Sequence, residues 1–547
     1  MEMDGNQLEA MKLKDQGNGF FREKKYVEAI TSYTSAITTL KPETNAVFYS
    51  NRAACYIALE KYDLAIEDCL AALAKDSSHV KSLERCAHCY SKVGRLKEAI
   101  IERLALKVVT GDITTFMNEV IERSTSRTES AMGKLVNQYV SLEAQKLADD
   151  KTRLVFPDAS EMYSHFELMY RHPQLLSFNS EDSIWKDDSA QNSPDHHLAA
   201  IYSKMKEHSY DSYVEAFYMV DRLIASGALD NNDNSKSDIF SIREQAYELR
   251  GSFNYLLKHE EDAIADYKRA DNNSSRIMLK LATAVGNAEE KVKYLQKAED
   301  ADPADPQVQF FQGLMNYERA DYKTALTYFD KMRRLAEAAG DTENIMYDIF
   351  WVLANWRNGD KTGSIRLLSK MEKKWASNPR FISMLANIKG DGASTSEKVQ
   401  LWRDAWESVK AARQVNHVTD TTPLMNIASL LTNQLMEDIS KERVSQDDNS
   451  RWQAIESVNK EAIKEDPHSL QCVFSYAYNL SFQRDRNAEA QIYFDKAFNL
   501  AAGHLAISKV LKASFANEAK LFLNQRYPEQ EDLIDMMLVA EDLRTDF

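Results

Sequence analysis

Lys14-Asp15-Gln16-Gly17-Asn18-Gly19-Phe20-Phe21, followed by Ala29, Tyr33 and Ala36, is the stretch whose reading decides the fold. Gly17, Phe20, Ala29, Tyr33 and Ala36 set small and aromatic residues at helical spacing. That order suits two helices packed face to face. A small residue on the first lets the second come close, and an aromatic fills the gap to the next pair. The order returns at Ala53, Tyr56, Ala65 and Ala72, with Cys69 in an aromatic slot. It returns again at Ala87, Tyr90 and Ala99, with Arg103 in that slot. Ala65 to Ala99 is one period of about 34 residues. Ala29 to Ala65 is slightly longer, and the excess falls around Lys41-Pro42-Glu43-Thr44.

A period of that length, built from helix–turn–helix units, is the signature of tetratricopeptide repeats. The pattern weakens after Gly111. A helical stretch is expected over Met117–Leu147, then Phe156-Pro157-Asp158 with Met162, Phe166 and Tyr170, then a polar run from Asn179 to Asp195. Repeats resume with Gly251, Ala263, Tyr267 and Ala270. A degenerate unit holds Leu279, Ala282, Leu295, Ala298 and Pro303. Gly313, Ala325 and Phe329 form the next, and Tyr478, Ala490, Phe494 and Ala497 a late one. The chain therefore reads as an all-α tetratricopeptide solenoid in two arrays. Residues 1–112 form a three-repeat domain, 113–195 a helical spacer and linker, and 196–547 a second array ending in an acidic tail.

Composition agrees. With 16 glycines and 10 prolines in 547 residues, turn-formers are scarce, roughly 3% and 2% against about 7% and 5% in ordinary proteins. Hydrophobic residues make up 44%, enough for a core. The net charge of −16 disfavours nucleic-acid phosphates and chiefly keeps a large protein soluble. Five cysteines are too few for a disulfide framework and fit a reducing compartment. Met1 to Lys14 is polar, with no secretory apolar segment. No window reaches the 18 or so apolar residues of a membrane helix, so direct membrane insertion is not expected. No phosphate loop, nucleophile elbow or kinase signature is present, so no enzyme is expected. No cofactor is implied.

Five polar residues stand out. Lys14 and Asn18 are four apart, as are Lys81 and Arg85, so each pair shares a helix face. Asn51 falls between them. By the repeat register all five lie on first helices of repeats, which line the concave side. Cations there, without acidic partners, suit a ligand that brings its own carboxylates. A C-terminal Asp brings two, and Asn amides add hydrogen bonds strengthened by the charge. Ala54 and Ile57 would offer an apolar wall for a preceding Val. The competing reading leaves the cations solvated on exposed faces. Glu84 could compete for Arg85, but adjacent helical residues diverge by about 100°.

These residues carry a resemblance. Lys14-Asp15-Gln16-Gly17-Asn18 with Phe20 and Phe21, and Tyr49-Ser50-Asn51-Arg52-Ala53-Ala54-Cys55-Tyr56, resemble the chaperone-binding tetratricopeptide proteins. Those recognise the Glu-Glu-Val-Asp tails of the seventy- and ninety-kilodalton heat-shock chaperones. All five positions match that family's carboxylate clamp. Over most of the chain the sequence is similar to the seventy-kilodalton receptor family of the mitochondrial outer-membrane translocase. Phe156-Pro157 through Phe166, Gln312-Gly313-Leu314 with Ala325, Phe329 and Asp330, and Phe494 to Ala501 carry this likeness. The resemblance implies a preprotein import receptor at the cytosolic face of the mitochondrial outer membrane. It implies chaperones, mitochondrial precursors and other translocase subunits as partners. The family's N-terminal anchor is not seen in the sequence given, and Glu529–Phe547 follows the usual end. The alternative is a soluble cytosolic co-chaperone or assembly scaffold.

Other features read as packing. Cys86 and Cys89 flank His88, but no second pair completes a zinc site. His196-His197 reads as exposed. Trp351, Trp356, Trp375, Trp402 and Trp406 read as core, with an apolar groove as the alternative. Phe310, Phe311 and Met315 would add to such a groove.

Overall fold

The computed structural model describes residues 5–40, 45–111, 130–150, 152–169, 194–229, 242–270, 274–340, 344–416, 418–441, 443, 448–483 and 485–540. Among these there is no strand; every element is a helix. The fold is the all-α tetratricopeptide solenoid expected from the repeats. The opening repeats are α1 (Gly5–Arg22) with α2 (Tyr26–Leu40), α3 (Ala46–Ala58) with α4 (Tyr62–Lys75), and α5 (Val80–Lys92) with α6 (Leu96–Thr110). A further helix, α7, spans Ala131–Ala148. Each helix packs on its chain neighbours, and α1, α3 and α5 also touch in sequence.

One close approach sets the spacing inside a repeat. A Cβ placed on Gly17 would stand 2.7 Å from the Tyr33 ring, one on Gly251 2.8 Å from Tyr267, and one on Gly313 2.5 Å from Phe329. These are below any ordinary carbon–carbon contact, so the first helix must be bare at this point for the second to sit as it does. The residues one step earlier carry a second device. Arg52 grips Asp68 through two hydrogen bonds of 2.8 and 2.7 Å, and Arg250 grips Asp266 at 2.9 and 2.7 Å. Both aspartates are buried, and the two-pronged guanidinium satisfies them.

The turn between the two helices of a repeat also recurs. Lys24, Glu60, Gly94, Lys258, Ala320 and Gly359 all have φ between 58° and 99°. Each stands two residues before the second helix of its repeat. Glycine adopts this left-handed conformation freely, whereas a Cβ is crowded there.

The chain divides into two compact units. One comprises Met1–Asp149, Leu480–Asp495 and His504–Phe547; the other comprises Asp150–Asn479 and Lys496–Gly503. The division expected from sequence at 112 and 195 is cut differently. The residues read as a spacer are shared between the two units, and the polar run Asn179–Asp195 lies almost wholly outside the described residues. The end of the chain is also recast. The helix Gly503–Arg526 and the helix Glu531–Ala540 count with the N-terminal repeats. Phe515, Ala519, Leu523, Ile534, Met537 and Leu538 join one buried cluster with Leu83, Ile100, Leu104 and Val136. The stretch read as an acidic tail is thus largely a packed helix with an apolar face; its last residues, 541–547, lie outside the described residues.

In the second unit the helices again pair in order, from Pro194–Met205 with Tyr210–Ala225 to Thr422–Ser440 with Asn449–Glu465. Asparagine, aspartate and serine caps start many of them, as Asp305 does by accepting from the Gln307 amide ahead of Pro306. The repeats blurred in sequence between Gly313 and Tyr478 are helix pairs nonetheless, their buried faces carried by Ile, Met and Trp.

Moving one methyl group tests this geometry in a single repeat. Gly313→Ala must push Phe329 away and is expected to cost about 1–3 kcal/mol. Ala320→Gly relieves a left-handed alanine on the surface and is expected to add up to about 1 kcal/mol. Thermal and denaturant melts of the two variants should shift in opposite directions from wild type.

Candidate functional site

The five residues singled out in the sequence fall on α1, α3 and α5, the three helices that pack side by side. Asn18 and Asn51 meet directly: the Asn51 Nδ2 donates to Asn18 Oδ1 at 3.3 Å. The Tyr33 hydroxyl donates to the same oxygen at 2.7 Å. The carbonyl end of the Asn18 amide is therefore occupied, and its N–H end makes only a long 3.4 Å contact to exposed Asp15. Arg85 reaches across from α5 to α3. Its Nη1 donates to both the carbonyl and the hydroxyl of Ser50, each at 2.7 Å. Ser50 is buried beside Asn51, so Arg85 is held against the amide pair.

Lys14 and Lys81 lie one turn before Asn18 and Arg85 on their helices, and among the described residues neither hydrogen-bonds to the other candidates. The expectation of cations without acidic partners needs one correction. Lys14 lies 3.5 Å from the exposed carboxylate of Asp15, its chain neighbour, so it has a partner, though a solvated one. Lys81 and Arg85 make no ion pair with a described residue, and Glu84 does not engage Arg85. Ala54 and Ile57 are half-buried on α3, as an apolar wall requires. Sequence reasoning missed Tyr33 and Ser50 as orienting groups. In the repeat pattern Tyr33 is a packing aromatic, and nothing in that pattern marks Ser50.

The cysteines belong to the core. Cys86 and Cys89 are fully buried among Ala53, Cys69 and Ala99, while His88 is exposed and meets the edge of Tyr62 at 6.2 Å. Burial pushes the Cys89 thiol up to about 11. Among the described residues no group of three His, Cys, Asp or Glu could hold a metal. His196 is half-buried and His197 exposed at the start of the Pro194–Met205 helix.

The second unit holds a pocket of about 230 Å³ lined by His165, Tyr255, Leu295, Phe311, Leu314 and Met315, with Lys291 and Glu318 also on its wall. His165 stacks on Tyr255 at 5.6 Å. Burial, with Lys280 and Lys258 nearby, holds its pKa down to about 3, so the ring is neutral. Of the residues expected to line a groove, Phe311 and Met315 do line this pocket. Phe310 does not: it is fully buried among Phe311, Phe329, Tyr347 and Phe350. Trp402 and Trp406 are core. Trp351 and Trp375 are only partly buried, but their indole N–H groups donate to Asp330 and Asp348, each at 2.9 Å, and the Arg333 guanidinium covers Trp351 at 3.7 Å. Their outer faces are polar-capped, so they do not form one apolar wall.

This arrangement defines a class: a tetratricopeptide repeat protein whose first array pairs two amides with two cations free of acidic partners. Comparison with known proteins places relatives beside it. No family model matches the chain. It is similar to the mitochondrial import receptor subunit TOM70 of Saccharomyces cerevisiae, 28% identical over 337 residues, covering 58% of this chain and 52% of the relative. The Homo sapiens receptor of the same name is 25% identical over 357 residues, covering 61% and 54%. The crystal structure of yeast Tom70 matches 98% of this chain and 99% of its own with a TM-score of 0.51 at 23% identity, which shows the shared fold. These matches bear out the resemblance to the receptor family read from sequence, and the relatives are receptor subunits rather than enzymes. The chain spans about half the length of the curated relatives it matches.

One titration follows from the second unit. Asp466, 7% exposed, has its carboxyl pushed up to about 6 by burial and by the charge of Asp158, against the opposing amides of His468 and Ser469. An unfolded aspartate titrates near 3.9. The folded state thus holds this proton more tightly, and its stabilisation is complete below about pH 4 and lost as pH rises through 6. Asp466→Asn keeps an acceptor for the His468 amide and removes the charge. The variant is expected to match wild type at the acid end and to exceed it by about 2 kcal/mol at pH 7. Melts of both proteins from pH 4.5 to 7.5 check this; parallel curves would refute it.

Proposed function

We propose that this chain is a preprotein import receptor that docks seventy- and ninety-kilodalton heat-shock chaperones by their Glu-Glu-Val-Asp tails, through Lys14, Asn18, Asn51, Lys81 and Arg85. The single observation carrying the reading is that Lys81 and Arg85 have no carboxylate partner among the described residues while standing on the helix next to the Asn18–Asn51 pair. A C-terminal aspartate supplies the missing charge twice. Lys81 and Arg85 receive it, Lys14 exchanges its solvated Asp15 for it, and the amide N–H groups of Asn18 and Asn51 complete the carboxylate hydrogen bonds. Ser50 fixes Arg85 in advance, and Tyr33 fixes Asn18, which lowers the ordering cost of binding.

The second array then takes the cargo. An apolar pocket with Phe311, Leu314 and Met315 suits hydrophobic side chains of a precursor segment, while Glu318 on its wall faces Lys291 at 3.7 Å. By its likeness to the import receptors, the chain works at the cytosolic face of the mitochondrial outer membrane beside other translocase subunits. No described helix is long and apolar enough to cross a membrane.

Calorimetry with a tail peptide should give a micromolar dissociation constant that weakens as salt rises. Lys81→Ala and Arg85→Ala are each expected to cost about 1.5–3 kcal/mol. Equal affinity for a C-terminally amidated peptide would remove the carboxylate reading. For the cargo site, Leu314→Asp and Met315→Glu in the full chain should reduce capture on precursor peptide arrays and leave tail binding intact. If the folded wild type captures no precursor at all, the receptor reading gives way to a cytosolic co-chaperone or assembly scaffold.

A further inference from the structure

The Arg52–Asp68 and Arg250–Asp266 pairs occupy the same slots of their repeats, just before the small residue of the first helix and just before the slot it faces on the second. In the third repeat those slots hold Cys86 and Glu102. The acid is present and the arginine is not. Glu102 is only 3% exposed. A buried carboxylate without a partner is costly. The partner comes from the far end of the chain: Arg526 Nη1 lies 2.8 Å from the Glu102 carboxylate. The next residue, Tyr527, donates its hydroxyl to the carbonyl of Ser77 at 2.7 Å. Ser77 lies in the turn that leads into α5, two residues before its N-cap His79.

Helix α5 therefore has two charges on one side and a seat on the other. Lys81 and Arg85 stand in its first two turns. Leu83, between them, is fully buried in the cluster that includes Phe515, Ala519 and Leu523. Lys97 on α6 adds a salt bridge to Glu518 on the same C-terminal helix. Helix α5 packs on α4 and α6, and its start is held as well by residues of the last helices, through Leu83 in the shared cluster and through the turn at Ser77. All of this lies within one compact unit.

We infer that Arg526 and Tyr527 are positioning residues for the carboxylate site: they set the placement of Lys81 and Arg85, so tail affinity depends on the C-terminal helix, which has no residue among the five. The inference rests on the clamp reading above. Coupling of this kind is reciprocal: if the helix strengthens tail binding, the tail strengthens the seating of the helix by the same factor.

The test uses the full chain and a free-carboxylate Glu-Glu-Val-Asp peptide. Tyr527→Phe removes one oxygen and keeps the buried ring. Arg526→Met removes the charge, and Arg526→Lys restores it. Tyr527→Phe and Arg526→Met are each expected to weaken the peptide about three- to tenfold, the lost worth of one hydrogen bond or more, with Arg526→Lys recovering part of the loss. In the wild type, peptide binding should slow amide hydrogen exchange along Gly503–Arg526. A helix that merely stabilised the fold would lower the melting temperature without either effect well below it. If the wild type binds, Tyr527→Phe binds equally well and exchange along that helix is unchanged by peptide, the inference is overturned and the clamp reading stands. If the wild type itself binds no peptide, the clamp reading falls and this inference falls with it. Should Arg526→Met fail to fold, Tyr527→Phe and the wild-type exchange decide the matter.

Discussion

A missing side chain organises this protein. Where Gly17, Gly251 and Gly313 leave the first helix bare, an aromatic ring of the second helix lies against backbone. That contact sets the distance between the two helices of a repeat, and the neighbouring Arg–Asp pairs lock their register. The placement of α1, α3 and α5 side by side follows from it, and with that the meeting of Asn18 and Asn51. The candidate site is a by-product of repeat stacking: residues far apart in sequence come together because the first helices of successive repeats lie side by side.

Much of this was legible beforehand because it is local. Period, small–aromatic alternation and the i, i+4 pairs are visible in a window of one or two repeats, and they gave the fold class and the helices that carry the five candidates. What escaped was of three kinds. Lys24, Glu60 and Ala320 adopt a left-handed turn that no glycine advertises, because the surrounding repeat imposes the conformation. Ser50 and Tyr33 act through atoms, a carbonyl and a hydroxyl, that pattern does not distinguish from packing. Phe310 and Phe311 are adjacent, yet one is core and the other lines a pocket, a difference of helix phase that a degenerate repeat does not fix. The Arg–Asp device recurs at a fixed spacing of sixteen residues, and beside it the Glu102 of the third repeat stands opposite a cysteine.

The second unit shows what a solenoid can tolerate inside. Lys280 is wholly buried, yet it pairs with Glu248 at 2.9 Å, donates to Ser252 and faces the Tyr267 ring, while Arg276 shares the same carboxylate at 2.7 Å. Burial still draws its pKa down to about 8. Such a network tolerates little displacement, since each member loses its compensation if another moves. The apolar pocket is built on rigid ground: Ala282 and Thr283, which line it, follow Lys280 on the same helix.

The packing of Leu83, Ile100 and Leu104 against helices from the end of the chain has a consequence for the newborn polypeptide. The ribosome delivers the third repeat well before its cover, with more than four hundred residues between Glu102 and Arg526. At about 5–20 residues per second, the interval is roughly 20–80 s. During that time the repeat exists with an open apolar flank and an unpaired acid. The third repeat therefore completes its packing only after the residues around Arg526 have been made.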